Sequence, residues 1–276
     1  MIDQTVEIAA LQEKSASAPR WTLKQLALWC KKVFGIDCCR ETLRLVLKRL
    51  GYSWKKAKKL LNRADPAHRA EFLNTIRPLL EKATKQKRLL VYIDEAHIHQ
   101  DTDIGYGWSR KGERLWVGSD SPGLSAKVTF YGIYYYNLGQ VRVWPYPCGR
   151  KEHTVNVLER IKMEHSTREI DIVWDGAPWH TANVVKEAGK RLGLNIIQMP
   201  AYSPDFMPVE ALWRWLREDV TYHHCYKTPE GLLEAVNNFV GRINKQPIVV
   251  ADRLWAKESL IDEEEILRVT VQPELA

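Results

Sequence analysis

Three carboxylates are set apart by their surroundings. Asp94 follows the apolar run Leu89-Leu90-Val91-Tyr92-Ile93, and Asp175 follows Ile170-Asp171-Ile172-Val173-Trp174. Glu210 opens a segment whose apolar residues, Val209, Leu212, Trp213, Leu216 and Val220, recur at helical spacing. A short apolar run reads as a buried strand, so both aspartates are expected at strand carboxyl ends, where open α/β sheets gather their ligands. Glu210 lies about 100° around the helix from Val209, at the edge of the buried stripe and free to face a site. Three such carboxylates brought together repel one another, and a divalent cation between them removes that penalty. The donors are hard oxygens with no matching His/Cys set, which favours Mg²⁺ or Mn²⁺. Two such ions activate an attacking oxygen and stabilise the leaving one at a phosphodiester. Taken singly, each residue also has an ordinary explanation, as a turn cap or as a first-turn acid that complements the helix dipole. The flanking residues have to decide.

The elements that must position these groups follow from periodicity. Strands are expected at Leu89–Ile93, Arg114–Val117, Lys127–Tyr136, Gln140–Trp144, Ile170–Trp174 and Leu194–Met199. Helices are expected at His153–His165, Trp179–Leu192, Val209–Val220, Pro229–Ile243 and Ser259–Leu267. This alternation is an α/β order: a mixed sheet with helices packed on its faces. Upstream, a helix over residues 62–86 carries Phe72, Leu73, Ile76, Leu79 and Leu80. Pro66 suits its first turn, and Pro78 is expected to kink or divide it.

The front of the chain is different in kind. Residues 1–90 hold 20 Lys/Arg and 8 Asp/Glu, a net of +12; the remainder is net −5 within a total of +7. A first helix (Leu23, Leu26, Ala27, Trp29, Cys30, Val33) stops at Gly35, and a second (Leu43, Val46, Leu47, Leu50) begins near Cys39 and stops at Gly51. Two short helices joined by a tight turn make a helix-turn-helix pattern. The second helix offers Arg40, Thr42, Arg44, Lys48 and Arg49, and the segment after it interleaves Trp54 with Lys55, Lys56, Lys58 and Lys59. Such donors suit base edges and phosphates of double-stranded DNA; a solvated basic surface is the plainer alternative.

Composition excludes other classes. No run approaches the ~20 apolar residues of a membrane helix, and the first residues carry acids where a signal peptide carries bases. A cytoplasmic protein with no membrane partner is expected, in a prokaryote at the nucleoid. The five cysteines contain no C-x-x-C pair, which indicates neither a disulfide framework nor a zinc finger. Asp94-Glu95-Ala96-His97 spells a helicase box, but no phosphate loop precedes it. His97-Ile98-His99 and His223-His224-Cys225 lack a matching ligand set for zinc.

Longer motifs give the carboxylates a context. Trp174-Asp175-Gly176-Ala177-Pro178-Trp179-His180 resembles the D-N-A-P-x-H motif of IS630-type transposases of the Tc1/mariner superfamily. Tyr202-Ser203-Pro204-Asp205-Phe206-Met207-Pro208-Val209-Glu210 resembles their Y-S-P-D-L-N-P-I-E signature, and 34 residues separate Asp175 from Glu210, as in the D-34-E spacing of that superfamily. Gly107-Trp108-Ser109-Arg110-Lys111-Gly112 is similar to the G-W-x-x-x-G hairpin after the first aspartate.

The resemblance implies an RNase H-like catalytic fold with an N-terminal all-α helix-turn-helix (winged-helix-like) region that binds terminal inverted repeats. It also implies cleavage at those ends and joining of the freed 3′-OH to target DNA, commonly at TA. Asp94, Asp175 and Glu210 become ligands of, in all, two Mg²⁺ or Mn²⁺ ions. Arg110 and Lys111 join the expected DNA contacts, His180, Tyr202 and Ser203 are expected near the site, and a homodimer or higher assembly must hold two ends. The expected division is a tail (1–19), the helix-turn-helix (20–61), a helical linker (62–88), the catalytic domain (89–225) and a C-terminal helical segment (226–276).

Departures are also present. Gly176 stands for the usual Asn, which is expected to loosen that loop, and Met207 stands for an Asn that would cap the following helix; Asp205 is expected as the substitute cap. One helix-turn-helix unit is found where relatives often have two. The alternative these features keep open is an inert or repurposed DNA-binding derivative.

Overall fold

The computed structural model describes residues 22–54, 64–119 and 127–259. The chain forms two compact units, residues 1–59 and 60–276. In the first, α1 (Leu23–Phe34) starts with a capping box: Thr22 Oγ1 accepts from Gln25 N–H at 3.3 Å, and the Thr22 N–H donates to Gln25 Oε1 at 2.9 Å. It ends at Gly35, whose φ of 68° is a left-handed conformation that glycine adopts without a Cβ clash. Helix α2 (Arg40–Arg49) follows, capped by Cys39. Leu26, Cys30, Leu43 and Val46 form the small core between them, as the two apolar stripes require.

The second unit is built on a five-stranded sheet of order β3-β2-β1-β4-β5. The strands are β1 (Leu89–His99), β2 (Lys127–Tyr135), β3 (Gln140–Tyr146), β4 (Ile170–Trp174) and β5 (Leu194–Gln198). β1, β2 and β3 are antiparallel neighbours, while β1, β4 and β5 run parallel. This is the expected mixed α/β sheet flanked by helices. Side-chain alternation splits its residues between two cores. Leu89, Val91 and Ile93 pack with Ile170, Ile172 and Trp174 against α4 (Lys151–Glu164) and, beyond the short α5 (Pro178–Thr181), α6 (Asn183–Arg191). Leu90 and Tyr92 face the opposite side, packed with α3 (Pro66–Thr84), α7 (Val209–Leu216) and α8 (Pro229–Ile243). A further helix, α9 (Pro247–Arg253), has no counterpart among the elements expected from periodicity.

Several expectations change. α3 is one helix through Pro78, with Asp65 capping Ala67 and His68 N–H. It buries Phe72, Leu73, Ile76, Leu79, Leu80 and Ala83 in the sheet's core, so tertiary packing holds it across the proline and makes it part of that unit. No strand forms at Arg114–Val117: these residues pair with no neighbouring strand and Trp116 is exposed. The expected helix Trp179–Leu192 is two, α5 and α6, separated at Ala182 with ψ 140°. The helix expected to run to Val220 changes to a π-turn over Arg217–Thr221. Except for Ser259, the expected helix at Ser259–Leu267 lies outside the described residues, as do Lys55, Lys56, Lys58 and Lys59. No described helix is long and apolar enough to cross a membrane.

Candidate active site

The strand β1 runs on to His99, so Asp94 stands in its middle rather than at its end. Its parallel pairing with β4 runs from Leu89↔Ile170 to Tyr92↔Val173, and two more steps of that register set Asp94 beside Asp175, where β4 stops. Adjacent strands lie about 4.8 Å apart, so the sheet itself brings the two aspartates together. Glu210, the second residue of α7, completes one cleft of about 390 Å³ whose lining includes Asp94, Asp175, Gly176, Gln198, Tyr202, Ser203, Met207 and Glu210.

Alternation also sends the adjacent acids Asp94 and Glu95 to opposite faces. On the α7 face, Trp213 Nε1 donates to Asp94 Oδ2 at 2.9 Å. On the other face, buried His180 lies between two carboxylates: Nδ1 is 2.7 Å from Asp175 Oδ1 and Nε2 is 2.7 Å from Glu95 Oε1. Burial works against a charged imidazole here. The hydrogen bonds and charges of Asp175 and Glu95 outweigh it and push the His180 pKa up to about 9, so the ring donates from both nitrogens. The His180 bond in turn holds the Asp175 carboxyl below its ordinary range. Asp94 moves the opposite way, up to about 7, first because it is buried and then because Glu210, Glu95 and Asp175 crowd negative charge around it, against the Trp213 bond.

A site where burial and like charge disfavour the anion is one a hard cation stabilises. Among the described residues no three His, Cys, Asp or Glu side chains stand close enough to enclose an ion as they are. The donor set fits Mg²⁺ or Mn²⁺: three carboxylates on one cleft, with a nitrogen donor holding one oxygen of each aspartate.

Trp213 depends on a glycine. Gly132 pairs with Asp94 across β1 and β2, and a Cβ there would stand 2.5 Å from Trp213 Cζ2 and 2.9 Å from Val209 Cγ1. Gly132→Ala must displace the indole from Asp94. The expected result is a loss of about 1–3 kcal/mol of stability, read by chemical denaturation, with lower activity in the fraction that stays folded. Unchanged stability would mean that α7 shifts without cost.

The other expected site residues are divided. Tyr202 lines the cleft with φ 56°, a left-handed conformation costly for a side chain of its size. Ser203 is buried and bonds the Ala201 carbonyl. His180 is too deep to touch a phosphate, and caps nothing. The Gly176 loop is held: Ala177 N–H donates to Asp175 Oδ1 at 3.0 Å, and a Cβ at 176 would meet Gln198 Nε2 at 2.7 Å. Met207 is buried, and α7 begins with no side-chain cap. Asp205 does not cap it either, because Arg69 and Lys257 claim its carboxylate. In the first unit Arg40, Thr42, Lys48, Arg49 and Trp54 are exposed on or after α2, and Arg44 is half-buried and paired with Glu41. Arg110 and Lys111 are exposed in a turn closed by Glu113 N–H on the Arg110 carbonyl. The sequence reading missed Glu95, Trp213 and Gln198 as site components. Strand alternation alone would have placed Glu95 opposite Asp94, without revealing its partner.

Two family signatures match the chain: DDE superfamily endonuclease over residues 89–232, and winged helix-turn helix over residues 17–76. The insertion element IS630 uncharacterized 39 kDa protein of Shigella sonnei is 26% identical over 233 residues, covering 83% of this chain. The match spans 66% of that relative, just under two thirds of its length. The crystal structure of a pre-cleavage Mos1 transpososome gives a TM-score of 0.60 at 14% identity, over 94% of this chain and 81% of that one. The Mos1 mariner paired end complex with Mn gives 0.60 at 15% identity, over 98% and 75%. At such identities the likeness is one of fold: an RNase H-like catalytic domain preceded by a helix-turn-helix.

Proposed function

The chain belongs to the DDE superfamily of endonucleases, and from this we propose that it is a DNA transposase. In this reading it binds the terminal inverted repeats of its element and cuts a phosphodiester at each end. It then joins the 3′-OH to target DNA, at TA. The observation that carries the reading is the single cleft lined by Asp94, Asp175 and Glu210, contributed by β1, the end of β4 and α7.

Asp94, Asp175 and Glu210 would hold two divalent ions, Mg²⁺ or Mn²⁺. When bound, these supply Lewis acidity at the attacking and leaving oxygens of a phosphodiester. The chain's own part is geometric. The parallel register leads the two aspartates toward one another, Trp213 and His180 each tie down one of their oxygens, and α7 brings Glu210 to the same cleft. Tyr202, half exposed on the cleft, is placed to pack against a nucleotide. Two ends must be processed together, so the active species is a homodimer or higher assembly on DNA.

The test is nicking of a supercoiled plasmid carrying the element's own ends, in Mg²⁺, Mn²⁺ or EDTA, with Asp94→Ala as control. Metal-dependent cuts at the ends, lost in the variant, are expected. Binding to the ends without cutting would instead establish an inert DNA-binding derivative.

DNA contact through α2 has its own expected result. Arg44 and Lys48 neutralise backbone phosphates in this reading, each contributing about 0.9 to the slope of log affinity against log salt. The double variant Arg44→Ala/Lys48→Ala is expected to bind the ends more weakly and to lose roughly 1.8 from that slope. A slope equal to that of the wild type takes α2 out of the interface.

A further inference from the structure

His180 lies behind the cleft, bonded to one of its aspartates without lining it. The residue is 1% exposed, out of reach of a DNA backbone, yet both ring nitrogens are engaged at 2.7 Å, one by Asp175 Oδ1 and one by Glu95 Oε1. Its plane is set by Trp174, whose ring stacks on it at 4.7 Å and 6°. Glu95 is itself fixed: strand alternation turns it to this face, and Trp179 Nε1 donates to its Oε1 at 3.3 Å. On the Asp175 side the Ala177 N–H joins His180 on Oδ1 at 3.0 Å. Two donors fill the two lone-pair directions of that oxygen. Oδ2 is the oxygen neither of them holds, and the carboxylate lines the cleft.

We propose that His180, anchored by Glu95, is a positioning residue that fixes Oδ1 of Asp175 and so presents Oδ2 as a single-oxygen ligand to a divalent ion. The inference rests on the metal reading of the cleft given above. An unbraced aspartate rotates about χ2 and must be ordered when an ion arrives; a braced one is ordered already. Outer partners of metal ligands contribute on the order of 10–100-fold to affinity, and His180 has the burial, the two short bonds and the stacked ring to supply that.

Binding of Mn²⁺ to the full chain, followed by the paramagnetic resonance of the free ion, tests this apart from activity. His180→Ala is expected to weaken Mn²⁺ binding by about 10–100-fold, with Asp175→Ala as the reference for a lost ligand. Two conservative variants separate positioning from packing. The amide nitrogen in His180→Asn takes roughly the place of Nδ1 and keeps the bond to Asp175; in His180→Gln it takes roughly the place of Nε2 and keeps only the bond to Glu95. His180→Asn should therefore hold Mn²⁺ distinctly better than His180→Gln. Circular dichroism checks each fold, and if the alanine variant does not fold, the Asn and Gln pair decides. Wild-type binding that persists unchanged in His180→Ala, or equal weakening in the Asn and Gln variants, overturns the inference alone. A wild-type protein that takes up no Mn²⁺ removes the metal reading, and this inference with it.

Discussion

If the chain is the proposed transposase, Asp175→Asn is expected to abolish DNA cleavage as completely as Asp175→Ala, by at least about 10³-fold, while leaving DNA binding intact. The equality of the two variants is the informative part. Asparagine can keep the oxygen that accepts from His180 and Ala177 N–H, so the loop and the buried histidine keep their places. It then turns an NH₂ group into the cleft, which has no lone pair to offer a cation. A fall of three decades corresponds to about 4 kcal/mol of transition-state stabilisation, in line with the several kcal/mol that a metal supplies as Lewis acid. Single-turnover cleavage of end-labelled DNA measures the first effect and a gel shift the second. If the Asn variant cuts within tenfold of the wild type, Asp175 does not hold an ion.

Asp205→Ala is expected to cost the second unit about 3–5 kcal/mol. Asp205 takes a bidentate pair of bonds from Arg69, at 3.0 and 2.9 Å, and a third from Lys257 at 2.6 Å. Arg69 is fully buried and Lys257 nearly so. Around them lies the Phe206 ring, with the Arg69 guanidinium 4.5 Å above it, and Phe206 packs on Phe72 of α3 at 5.0 Å. Removing the carboxylate leaves two buried cations facing each other, a larger penalty than the pair's own net contribution.

The pH dependence has a definite sign. Burial alone would raise the Asp205 pKa, but Arg69 and Lys257 outweigh it and hold the group well below its ordinary 3.8. The ion pair's stability is therefore fully present above that value and is lost as pH falls through the lower, folded one. Denaturant unfolding at pH 7 and in steps below pH 3.8 should show the gap between wild type and Asp205→Asn narrowing with acid. A gap independent of pH would mean that packing, not charge, holds the Pro204–Phe206 turn. Because this turn leads from the cleft into α7, the same variant is also expected to misplace Glu210.

The three carboxylates that line the cleft were singled out by the sequence alone, and so were most of the elements that bear them. Asp94 and Asp175 followed apolar runs, Glu210 opened an amphipathic helix, and the strands Ile170–Trp174 and Leu194–Gln198 and the helix Pro229–Ile243 lay where period and punctuation put them. Local physics decides these features: alternation and helical period reflect which faces are buried, and Gly35 and Gly51 stop helices by their own backbone freedom. The tertiary structure decided what depends on partners distant in the chain. It carried β1 past Asp94 to His99, because β2 supplies an antiparallel neighbour along that whole length. It kept α3 whole across Pro78, because six apolar side chains in the core outweigh one lost hydrogen bond. It left Arg114–Val117 without a strand: these residues bridge to no described strand, so their alternation is not matched by a partner. It gave Asp205 to Arg69, 136 positions away, rather than to the helix it precedes. It buried His180, on the short helix after β4, against Glu95 of β1, a residue 85 positions away that no local spacing points to. The sequence by itself determined which groups are present and on which face of which element each sits. Only the packing of those elements determined which oxygen of each aspartate is tied, Oδ2 of Asp94 by Trp213 and Oδ1 of Asp175 by His180.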